Sequence, residues 1–163
     1  MKIERLLGTA LFCTSFALAS AAEPQLPVMK EGLWESHTQQ VIQGKKVETS
    51  MKICQTHAIE QSMKSAGEQI RKTNQCTEVL TRTSANSYTS ESRCMQGPLA
   101  GSVTKTTLTF QGDTASHMEM HMTKGQSDSV TIIESKYLGS CPADMKPGDA
   151  VMANGMKMNF ADK

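Results

Sequence analysis

The chain is short of almost everything that announces a chemistry. It has one Trp, two Tyr and four Phe in 163 residues, so large rings cannot fill its core unaided. Its cysteines include no C-x-x-C pair, which excludes the thiol oxidoreductase and zinc-knuckle arrangements. There is no G-x-S-x-G turn, no phosphate-cradling loop and no dinucleotide glycine pattern. His37, His57 and the many serines meet no local hydrolase geometry, and the acids are too numerous for a glycosidase pair to stand out. A non-catalytic protein is expected. Charge of one sign is missing too: without Lys2, Glu4 and Arg5, 15 basic and 15 acidic residues remain. That balance gives no electrostatic reason for nucleic acid or an anionic membrane surface as partner. Internal repeats and low-complexity tracts are absent.

What is present begins at the N-terminus. Lys2 and Arg5 precede the apolar run "LLGTALFCTSFALA", which ends in the small residues "SAA" before Glu23. This is the pattern of a cleavable secretory signal peptide over residues 1–22. The run is 14 residues long, short of the roughly 20 that span a bilayer, and no second apolar stretch follows. Cys13 follows Phe12, where a lipoprotein signal would carry a small residue. A periplasmic protein without a transmembrane segment is expected, with a single α+β domain over residues 23–149 and an irregular tail over 150–163.

Four cysteines remain after the leader: Cys54, Cys76, Cys94 and Cys141. An even count in an exported chain reads as two disulfides. Cys76 and Cys94 lie equally far on either side of Ala85, within a Thr- and Ser-rich stretch that folds back around "SANS". A hairpin there sets them opposite each other, within bridging distance. Cys76 therefore pairs with Cys94 and, by elimination, Cys54 with Cys141.

Two strands, "GLWESHTQQVI" and "KVETSMKIC", flank a turn centred on Gly44-Lys45. The period then changes in "THAIEQSMKSAGEQIRKTN": Ile59, Met63, Ala66 and Ile70 form one helical face, with Thr56 placed to cap it. After a break at "QGPLAG" come "SVTKTTLTF", "SHMEMHM" and "VTIIESKYLG", punctuated by Gly112 and Gly125, an antiparallel meander. The expected fold is α+β: a curved, mainly antiparallel sheet of about six to seven strands with one helix packed on it and two disulfides.

In order along the chain, "GLWE", "ICQT" with a helix behind it, two further cysteines, "MEMHM" and "YLGSCPADMKPGD" resemble the bacterial exported proteins of the domain of unknown function 3617 family. The resemblance runs from about Lys30 to Asp149 and implies that Gly32, Trp34, Cys54, Cys76, Cys94, Gly139 and Cys141 are framework positions. It implies no activity, ligand or catalytic residue.

"SHMEMHM", residues 116 to 122, is the stretch with most ligating atoms. Strand alternation puts Met118, Met120 and Met122 on one face and His117, Glu119 and His121 on the other. A three-residue loop before it would set Leu108 and Phe110 on the methionine face; a two-residue loop would set His117 beside Leu108. Two readings compete for function. One is copper: thioethers select Cu(I), with Met152, Met156 and Met158 in the tail as donors, while the His117, Glu119 and His121 face offers imidazole and carboxylate. The other is a carrier of a lipid or similar apolar ligand, by analogy with half-open barrels lined by adaptable methionine. A purely structural module, or one docking an envelope protein, stands beside them.

Overall fold

The computed structural model describes residues 24–161; the signal peptide expected over residues 1–22 lies outside the described residues. The chain enters in mid-sheet, with β1 (Gly32–Ile42) folding back on β2 (Lys45–Gln55) in unbroken antiparallel register from Gly32 opposite Gln55 to Ile42 opposite Lys45. The turn is Gln43-Gly44, with φ of 49° and 78°. Two positive φ values match the twist of paired strands, so the turn centres one residue earlier than the Gly44-Lys45 expected.

Helix α1 (His57–Thr73) follows, with the Thr56 hydroxyl accepting from the Ile59 amide at 3.4 Å. A five-strand meander comes next: β3 (Cys76–Arg82), β4 (Ser87–Cys94), β5 (Ser102–Gln111), β6 (Ala115–Lys124) and β7 (Ser127–Gly139). β7 lies against β1, and β8 (Asp149–Met152) and β9 (Lys157–Asn159) extend the sheet beyond β2. The described residues thus form one open sheet in the order β3-β4-β5-β6-β7-β1-β2-β8-β9, antiparallel in every pairing.

Nine strands replace the six to seven expected. The two extra ones come from the stretch read as an irregular tail. They are only four and three residues long, too short to show a period, and they form because β2 offers β8 a free edge at Met51–Ile53.

The sheet's two faces differ in kind. Trp34, Ile53, Tyr88, Phe110 and Ala150 are buried on one of them, joined by Met29 and by Ile59 of the helix. Trp34 donates its indole N–H to the Lys30 carbonyl at 2.8 Å and meets Tyr137 edge-on at 5.8 Å; Tyr88 and Phe110 stand the same way, also at 5.8 Å. Few rings serve this core because each pair closes one end of it. Gly32 is required beside Trp34: at φ +143° an added Cβ would lie 2.7 Å from the Tyr137 ring and closer still to the Gly139 carbonyl.

Both disulfides join the expected pairs, Cys76–Cys94 read from the spacing and Cys54–Cys141 by elimination, the former directly opposite in register. The helix departs from expectation in one respect. Of its apolar stripe only Ile59 is buried, whereas Met63 and Ile70 are 45% and 56% exposed. α1 is anchored at its start and stands off the sheet further along.

Candidate ligand-binding cleft

The gap beneath α1 follows from two neighbouring rows of cross-strand residues. Tyr88, Leu108 and Met118 are successive partners across β4, β5 and β6. One step along, Leu80, Ser90, Thr106 and Met120 are partners across β3 to β6. In this second row two small side chains, Ser90 and Thr106, sit between two large ones. The surface therefore dips where the helix passes over it, leaving a cavity of about 420 Å³.

The floor is apolar at its ends and hydroxylic in the middle. The roof is charged, since Lys64, Glu68 and Arg71 of α1 line the same cavity. They recur at steps of four and three, a second stripe that is polar where the Ile59 stripe is apolar. Arg71 reaches Glu78 on the edge strand β3, Nε to Oε2 3.3 Å, tying roof to floor. The third wall is the segment Pro24–Leu26. It is held where the Tyr88 hydroxyl donates to the Gln25 carbonyl at 3.1 Å and where the Lys30 amide donates to the Asp113 carbonyl at 3.0 Å.

The methionine stripe belongs to this cleft as much as to the core. The loop before β6 has three residues, Gln111 pairing with Ala115, so Leu108 lies opposite Met118. Met118, Met120 and Met122 share the Leu108 and Phe110 face but are only half-buried, and the buried core cluster does not include them. Met118 and Met120 pave the cleft floor, while Met122 lies on the same face outside it, beside Gln40 and Ile42.

On the opposite face the histidines do not converge. His121 Nε2 lies 2.6 Å from Glu119 Oε1, while His117 turns to Glu134 on β7 at 3.7 Å. The expected set of His117, Glu119 and His121 is thus split between two partners. In the tail, Met152 stands opposite Met51 and Met158 opposite Ala150, with Met156 exposed in the turn between them. The three thioethers are set by sheet pairing. Among the described residues no group of three or more His, Cys, Asp or Glu side chains is placed to hold a metal ion.

One arrangement invites a catalytic interpretation. His37 Nδ1 lies 2.7 Å from Ser50 Oγ and its Nε2 3.6 Å from Glu35, the residue types of a hydrolytic triad. The His37 side chain is 56% exposed and all three residues lie within β1 and β2. Hydrolysis also needs donors aimed at a developing oxyanion. The cation beside the set, Lys52, turns to Glu35 at 3.7 Å.

Residues 29–141 match the family model described as protein of unknown function, DUF3617. The chain belongs to the DUF3617 family. No curated protein and no solved structure matches the chain. The DUF3617 region begins at the buried Met29 and ends at Cys141, so it takes in α1, the whole cleft floor and both disulfides, and it leaves β8 and β9 outside.

The sequence pointed to the floor, through Met118 and Met120, and missed the roof. The four-three spacing of Lys64, Glu68 and Arg71 on the predicted helix was the available signal. The pairing of His117 with Glu134 had no local signal, because it depends on the register of β6 against β7.

Proposed function

We propose that the protein is an exported, periplasmic, non-catalytic binding module that carries a small apolar ligand in the cleft between α1 and the methionine face of the sheet. The observation that carries this reading is the cavity of about 420 Å³, within the usual range of ligand sites and floored by Leu80, Tyr88, Leu108, Met118 and Met120. α1 connects β2 to β3, the far edge of the sheet, and so passes over the face that carries the cleft. Methionines suit such a floor because they repack around ligands of different shape. Among the described residues no helix is long and apolar enough to cross a membrane.

Filling the dip tests the proposal. Thr106→Phe should lower the affinity for a neutral fluorescent apolar probe at least tenfold. Thr107→Phe, on the opposite face, should leave it within twofold. Equal affinities in the two variants and the parent protein would place probe binding elsewhere.

A further inference from the structure

The two charges left over in the roof extend this reading to the class of ligand. Arg71 is committed to Glu78. Lys64 and Glu68 line the same cavity, yet neither forms an ion pair among the described residues. They lie one helical turn apart, about 6 Å between Cβ atoms, with Lys preceding Glu, the less favourable order for a mutual pair. An exposed cation and a half-buried anion thus lie side by side at the rim of a floor that is apolar at its ends and hydroxylic in the middle. A ligand with an anionic head would meet Glu68, and one with a cationic head would meet Lys64. A head carrying both signs satisfies both.

We infer that the ligand is a single-chain zwitterionic amphiphile, its anionic group against Lys64, its ammonium against Glu68, and its chain over Tyr88, Leu108 and Met118. The inference rests on the apolar-ligand reading above. Size favours a single chain: the cavity of about 420 Å³ lies toward the lower end of the usual range of ligand sites. The charges also explain why α1 turns its polar stripe to the cleft and leaves Met63 and Ile70 outside, since an all-apolar roof would leave the head of an amphiphile unpaired.

The test compares three probes of one chain length on the whole mature protein: lysophosphatidylethanolamine, the free fatty acid and the neutral monoacylglycerol. The zwitterion should bind about tenfold tighter than either of the others. Lys64→Gln and Glu68→Gln should each weaken it about fivefold while leaving the monoacylglycerol unchanged; both sites lie on the helix surface, so folding is checked by the unchanged neutral probe. Equal binding of all three probes, or charge variants without effect on the zwitterion, overturns the inference and leaves the apolar cleft standing. Failure of even the monoacylglycerol to bind removes the cleft reading itself.

Discussion

Side-chain size across a single row of the sheet shapes the cleft beneath α1. Ser90 and Thr106 between Leu80 and Met120 turn an apolar sheet face into a floor with a dip, and Phe110 one row beyond Leu108 closes the buried end. The two kinds of position should respond differently to truncation. Phe110→Ala, in the packed core, should cost about 3–5 kcal/mol by denaturant melts. Met120→Ala, half-buried over the cavity, should cost about 1 kcal/mol. Equal losses would mean that the methionine stripe is ordinary core. Alternation alone separated methionines from histidines in "SHMEMHM", and the glycine of the preceding loop left only its length to be decided. The partners of His117 and the unpaired state of Lys64 were not legible, because each depends on what a distant strand or the sheet beneath presents.

Among elements, α1 and the two-strand tail matter most. The sequence showed the helix and its Thr56 cap but gave its Ile59 stripe the wrong surroundings, since periodicity names a face without saying how close the sheet comes. Two covalent links hold this frame. Cys54–Cys141 closes a segment of 87 residues and Cys76–Cys94 one of 18. Loop entropy gives about 4.6 and about 3.2 kcal/mol respectively. Urea melts of Cys54→Ala/Cys141→Ala and Cys76→Ala/Cys94→Ala proteins should rank in that order, and the reverse order would show that strain or residual unfolded structure dominates.

β8 and β9 were invisible in the sequence because β8 is templated by β2 and β9 by β8. Their junction is held by Asp149, whose carboxylate accepts from the Lys146 amide at 2.7 Å and the Asn159 side-chain amide at 2.6 Å. The Lys146 backbone bond first, then Asn159, hold the Asp149 carboxyl below its ordinary value, with Lys146 and Lys157 adding positive charge. A lowered folded value means stabilisation that is present above the ordinary aspartate range and lost as pH falls through the folded value. Protection factors of the β8 and β9 amides, taken against the intrinsic exchange rate at each pH, should therefore fall on acidification below that range, before those of the meander do. Asp149→Asn should remove the step; a step that persists in the variant would assign it to another group.

For the molecule as a whole, topology makes the cleft. The meander, the entry of β1 in mid-sheet and the return of the chain from β2 to the far edge leave one helix to cross the cleft face of the sheet. Fold class, the Cys76–Cys94 pairing and most strands were legible because each rests on local period or spacing, and Cys54–Cys141 followed by elimination; the cleft was not, since it arises from a crossing between distant elements. Native mass spectrometry of the mature protein, taken from its own cells without detergent, tests the central claim most directly. The parent protein should carry an adduct with the mass of one single-chain lipid, which organic extraction removes and Thr106→Phe prevents. An unliganded mass for the parent, or an adduct undiminished in Thr106→Phe, would contradict it.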